Sequence, residues 1–152
     1  MGAVSKSATS SMFPPVLPKR VGYYPMIRVA IADDHPEMRM ALRLLLSISK
    51  NIEIVCETSN GQEAVECVKH LQPDVLVMDI HMPTLNGLAA TKQITDLSAP
   101  TRVILISTDA GNFIARQTAA AGAQGFVPKD KVALLLIPAI EAVHRGELFF
   151  AD

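Results

Sequence analysis

The chain has 152 residues, 49% of them hydrophobic, enough for one well-buried core and too few for two ordinary domains. Its 14 basic and 15 acidic residues give a formal charge of -1, which excludes the strong positive field behind non-specific nucleic-acid binding, so contact with DNA would need another segment. The longest apolar run, 132–140, is interrupted by Pro138 and falls far short of the roughly 18 residues a membrane span needs.

Residues 1–25 are rich in Ser and Pro and carry Lys6, Lys19 and Arg20 with no acid. They read as an N-terminal extension: a leader, a mis-assigned start ahead of Met26, or residues added in cloning. No apolar segment precedes a small-residue cleavage site, so secretion is not expected. Residues 26–150 read as one domain. Cys56 and Cys67 lack metal-ligand spacing and fit reduced thiols of a cytoplasmic protein.

From Met26 onward, short apolar runs alternate with helical patterns five times, which argues for parallel strands joined by helical crossovers. The first run, 27–32, is almost continuously apolar, as expected of a strand buried on both faces. Pro36 then fits the first turn of a helix whose apolar stripe is Met38, Ala41, Leu42 and Leu45. Ile52, Ile54 and Cys56 alternate with Glu53, Val55 and Glu57, the period-2 pattern of an edge strand. Asn60 is placed to cap a second helix with Ala64, Val65, Val68 and Leu71 inward.

The third strand, 75–78, and the fourth, 103–106, are again apolar throughout, with a helix over 86–96 between them. A further helix, 112–121, closes at Gly122. The fifth strand, 125–127, is short and followed by Pro128, which places it at an edge. The last helix ends before Gly146, and Pro138 requires it either to start late or to bend. Two edge strands and right-handed crossovers give an α/β fold with a five-stranded parallel doubly wound sheet, order 2-1-3-4-5, flavodoxin-like.

In that order the first and third strands are neighbours, and ligands bind beyond their carboxyl ends, where the winding reverses. Asp33 and Asp34 close the first strand, Asp79 the third and Ser107 the fourth, and Lys129 follows the fifth. Three carboxylates so placed repel one another unless a cation is present, and a hard divalent ion with oxygen ligands, Mg²⁺, removes that cost. A carboxylate is a workable phosphoryl acceptor when metal and cationic groups neutralise the oxygens of the transferring group, and Asp79 fits that role best.

Taken singly, each residue has an ordinary reading. Asp33 and Asp34 would cap the first helix, Asp79 would be a turn residue, Ser107 a strand-end hydroxyl and Lys129 a solvated charge. Their joint placement on one rim outweighs those readings. His35, His70, His81 and His144 are not spaced as metal ligands, and Gly87, Gly111 and Gly122 read as turn and cap residues, since no GxxxxGK[ST] sequence is present. A phosphatase of the haloacid dehalogenase type would also combine Asp, Ser, Lys and Mg²⁺, but it needs D-x-D where this chain has Asp79-Ile80-His81. A module with a vestigial pocket would not need the full set.

With "VAIADDHP", "VLVMDIHMPTLNG", "VILIST" and "GAQGFVPKD" in this order, the chain resembles the receiver domains of bacterial two-component response regulators, and most of all the NarL/LuxR subfamily. The resemblance implies Asp79 as phosphoacceptor, Asp33, Asp34, Asp79 and the His81 backbone carbonyl as Mg²⁺ ligands, and Ser107 and Lys129 as contacts to the phosphoryl group. It implies a sensor histidine kinase as partner and pairing of two copies through the first and last helices or through the switch face. DNA would be met only through a C-terminal helix-turn-helix domain that is not in this chain, and transcription regulation would be the output. Phe126 falls at the family's aromatic switch position, where it lacks the hydroxyl of the more usual Tyr. Asp130 follows Lys129 where many receivers have a cis proline, and no cis bond is expected here.

Overall fold

Every position of β1 (Ile27–Ala32) and of β3 (Val75–Asp79) is buried, as two-faced apolar strands require. The computed structural model describes residues 26–151, and the N-terminal extension lies outside the described residues. The remaining elements are α1 (Pro36–Leu46), β2 (Ile52–Thr58), α2 (Gly61–Leu71), α3 (Gly87–Asp96), β4 (Arg102–Ser107), α4 (Asn112–Ala121), β5 (Gly125–Pro128), α5 (Val132–His144) and β6 (Phe149–Phe150). The strands form one sheet in the order β2-β1-β3-β4-β5-β6, all neighbours parallel.

The two faces of the sheet are covered separately. On one, Ala30, Leu76, Met78, Leu105 and Phe126 pack with Val65, Val68 and Leu71 of α2, Ile94 of α3 and Ile114 of α4. On the other, Val29, Ile31, Val77 and Ile104 pack with Leu42 and Leu46 of α1 and Leu136, Ile140 and Val143 of α5. Each such aliphatic side chain, fully buried, contributes about 1.5–3 kcal/mol relative to exposure, so both layers are needed.

Local chemistry sets the helix ends, with Pro36, Asn60 and Gly122 in the places read from the sequence. Pro36 opens α1 with His35 as its N-cap; Asn60 and Asn86 accept hydrogen bonds from the Glu63 and Ala89 amides; Gly122, at φ 104°, closes α4.

Three features depart from the sequence reading. First, the sheet has six strands: Phe149 pairs with Gly125 and Phe150 with Phe126, so β5 is not an edge. A two-residue strand is too short to leave a periodic trace, and it forms because β5 offers unpaired backbone groups beside it. Second, the alternation in β2 breaks. The register skips Val55, since Val29 pairs with Ile54 and Ala30 with Cys56. This bulge sends Ile52 and Ile54 to the α1/α5 face and Cys56 to the α2 face, because one inserted residue reverses every side chain beyond it. Third, α5 does not start late; Pro138 lies inside it, on the exposed side, while Leu136, Ala139 and Ile140 anchor the buried stripe.

Cys56 and Cys67 are free and buried. No described helix is long and apolar enough to cross a membrane. Among the described residues no peptide bond is cis.

Candidate functional site

The carboxyl ends of β1 and β3 lie side by side, since Ala32 pairs with Met78. That register delivers Asp33 and Asp79 to one point of the rim, where both are almost wholly inaccessible to water. Pairing of β4 with β5 sets Ser107 against Pro128, and the next residue, Lys129, turns its side chain back over the rim. Its ammonium stands 3.0 Å from Asp33 Oδ2 and 3.2 Å from Asp79 Oδ2. The sheet therefore brings together all five predicted residues: Asp33, Asp34, Asp79, Ser107 and Lys129.

The balance of charges is uneven. Burial, and then repulsion from Asp33, push the Asp79 carboxyl above its ordinary range, and they outweigh Lys129 and the His81 amide. For Lys129, burial is the largest single influence and acts downward, but the two carboxylates together hold the ammonium above the usual lysine range. Asp33 Oδ2 and Asp34 Oδ1 are buried and receive no directed hydrogen bond. Each has only a nearby nitrogen, Lys129 Nζ at 3.0 Å and His35 Nδ1 at 3.1 Å respectively.

Oxygens of that kind fit a hard cation. One ligand atom each from Asp33, Asp34, His35 and Asp79 lies within 4.8 Å of all the others. The carboxylates match the oxygen preference of Mg²⁺, and their unsatisfied atoms are those a cation would satisfy. The imidazole is the less suited member of the group.

Two contributors were not found from the sequence. His35, read from the sequence as not spaced for a metal, stands exposed at the rim beside the acids: its Nδ1 approaches both Asp33 Oδ1, at 3.2 Å, and Asp34 Oδ1. The neighbouring "DDH" order was the available signal. Asp109 reaches across the mouth, its Oδ2 lying 2.9 Å from His81 Nε2, while its amide donates to Ser107 Oγ at 3.0 Å. The β3–α3 and β4–α4 loops are thus joined through exposed side chains above the pocket.

Gly87 has a positional role beyond turning the chain. A Cβ there would come 2.3 Å from the Asp79 carbonyl oxygen, so only glycine lets α3 begin this close to the acceptor. The Gly87 amide donates to Ile80 O at 2.8 Å, holding the turn that follows Asp79. The His81 amide in turn donates to Asp79 Oδ1 at 3.3 Å.

Phe126 is fully buried between β4 and β6, paired with Leu105 on one side and Phe150 on the other. The inward ring is thus a property of this structure.

The response regulator receiver domain family matches residues 29–141. The chain is 35% identical to the transcriptional regulatory protein LnrK of Bacillus subtilis over 121 residues, 80% of this chain and 55% of that protein. It is 32% identical to the response regulator UvrY of Escherichia coli over 127 residues, 84% of this chain and 58% of that one. It thus spans little more than half the length of these curated relatives. Among solved structures, it is similar to the signal receiver domain of the putative response regulator NarL from Mycobacterium tuberculosis. That match has a TM-score of 0.77 and 33% identity, covering 80% of this chain and 98% of that one.

Proposed function

Since the chain belongs to the response regulator receiver domain family, we propose that it is a phosphoacceptor switch in which Asp79 takes a phosphoryl group from the phosphohistidine of a sensor histidine kinase. The observation that carries this reading is the pairing of a buried Asp79 with Lys129 beside two carboxylate oxygens that lack directed partners. Asp33, Asp34, Asp79 and the His81 backbone carbonyl would hold Mg²⁺. Bound there, the ion would neutralise charge on the phosphoryl oxygens and let an anionic nucleophile approach.

The chain's own groups do the rest. The Asp79 carboxylate attacks phosphorus as the bond to the histidine nitrogen breaks, leaving the imidazole with the electron pair. Lys129, already within reach of Asp79, exchanges a carboxylate contact for a phosphoryl oxygen. Ser107 supplies a hydroxyl that moves toward the same group and carries its presence into β4 and the loop before α4.

Such a protein signals and does not turn over an external substrate; it promotes only its own phosphorylation and dephosphorylation. Its output would be a population shift of the face made by α4, β5 and α5. With Phe126 already inward, the shift would set how firmly that ring stays inside. A full change from 1:99 to 99:1 needs about 5.5 kcal/mol of difference between the two states, and smaller shifts suffice for graded control. Transcription control through a C-terminal helix-turn-helix domain, cytoplasmic location and pairing of two copies belong to the same reading. So does the assignment of residues 1–25 as an extension to a receiver spanning 26–150.

Incubation with Mg²⁺ and a small acyl phosphate should add the mass of one phosphoryl group, and the adduct should vanish in Asp79→Asn. An adduct of unchanged yield in that variant would remove Asp79 from the role.

A further inference from the structure

The chain does not leave the sheet after α5. It turns at Gly146 and adds β6 alongside β5, with the Phe149 amide donating to Gln124 O at 3.0 Å and the Ala151 amide to Phe126 O at 2.9 Å. Parallel register aligns Leu105, Phe126 and Phe150 across three strands, and all three rest against the layer of α2, α3 and α4. Phe150 is therefore the outer neighbour of a ring that is itself completely buried. The fit is close: a Cβ at Gly125 would come 2.9 Å from Phe149 O.

β5 is only four residues long, and it carries a pocket contact at one end. Pro128 is paired with Ser107, and Lys129 follows directly with its ammonium on Asp33 and Asp79. The short strand thus has the pocket at its carboxyl end and β6 along its outer edge. A two-residue strand whose two rings are only half-buried belongs to the low-stability end of any fold, where docking is reversible.

From this arrangement we infer that β6 is a strap whose docking on β5 is linked to phosphorylation of Asp79, each favouring the other. The inference rests on the phosphoacceptor reading. When Ser107 and Lys129 both turn to one phosphoryl group, the carboxyl ends of β4 and β5 are pinned to it. Phe126 is then held in the gap between Leu105 and Phe150, which is the arrangement β6 completes. With β6 away, the outer flank of Phe126 faces water and the inward ring loses its cap. Linkage makes the effect reciprocal: whatever holds or pulls the chain at Ala151 alters the equilibrium between phosphorylated and unphosphorylated Asp79 by the same factor as phosphorylation alters docking. The signal would leave the domain through the backbone of this strand, in addition to any surface that a partner reads.

Amide hydrogen exchange of the full chain, with Mg²⁺ and an excess of a small acyl phosphate, tests the linkage, with intact mass recording phosphorylation. Protection of the Phe149 and Ala151 amides should rise by about fivefold to a hundredfold, the ordinary range of such coupling. The Asp74 amide, bonded to Arg28 O at the far end of the sheet, serves as the control for global stabilisation. Phe150→Ala should lose the rise and lower the phosphorylated fraction recorded by intact mass, and Phe150→Leu should restore part of both. A phosphorylated chain with unchanged protection at Phe149 and Ala151 relative to Asp74 overturns the strap and leaves the phosphoacceptor reading standing. So does a Phe150→Ala variant that responds like the parent. Failure to gain the phosphoryl mass removes the reading and the strap together.

Discussion

Asp79 stands beside Asp33 in a site closed to water, and burial followed by that repulsion raises its carboxyl above the ordinary range despite Lys129 at 3.2 Å. Its folded-state pKa therefore exceeds the unfolded one. Ionised Asp79 weakens the folded state at neutral pH, and the penalty disappears as pH falls through the folded-state pKa and the proton is taken up. In a chelator, Asp79→Asn should melt at a higher temperature than the parent at pH 7, and the gap should close as the pH is lowered through that range. Thermal unfolding across the acidic range reads this directly. A parent that is the more stable of the two at pH 7 would mean that attraction to Lys129 outweighs burial and repulsion. Such a site disfavours its own key group until a cation arrives, which is the behaviour expected of a position kept for chemistry.

Among the elements, α5 holds the clearest conflict between local and tertiary preference. Pro138 lacks the amide that would reach the carbonyl of Leu134, yet the helix continues because Leu136, Ala139, Ile140 and Val143 bury its inner face. Pro138 is exposed, so Pro138→Ala removes no core contact while restoring a donor. The variant should gain about 1–3 kcal/mol, reduced by the extra freedom of its unfolded chain, and the urea midpoint should rise accordingly. A lower midpoint would assign Pro138 a packing role at the surface. The same contrast explains what the sequence could reveal. Caps such as Asn60 and Gly122 act within one turn and were legible, and so were the apolar central strands. The bulge at Val55 and the pairing of Phe149 with Gly125 depend on what lies beside them in space, and no local pattern records them. At the site, the acids, Ser107 and Lys129 were legible because strand order places strand ends together. Asp109 and His35 were not, because side-chain reach between loops is set by the finished rim.

At the scale of the whole molecule, the parallel sheet acts as a frame that gathers like charges and then has to balance them. In the absence of metal the balance falls to Lys129, whose side chain is 14% exposed and whose ammonium serves two carboxylates at once. The pair raises its pKa despite burial, so its stabilisation is complete at neutral pH and is lost only as pH rises through that elevated folded-state value. Removing one partner from a buried ion pair leaves the others uncompensated, and Lys129→Ala should destabilise the metal-free chain by about 3 kcal/mol. A divalent cation on the same oxygens would take over the task. At a hundredfold excess over its dissociation constant, a ligand that binds only the folded state returns about 2.7 kcal/mol. In the parent, Lys129 already occupies Asp33 and Asp79, so Mg²⁺ has less repulsion to relieve there than in the variant. Denaturant unfolding with and without Mg²⁺ should therefore show a larger gain for Lys129→Ala than for the parent. Equal gains would mean that ammonium and cation act on different oxygens, and would separate the lysine from the metal in the account of how this rim holds its charge.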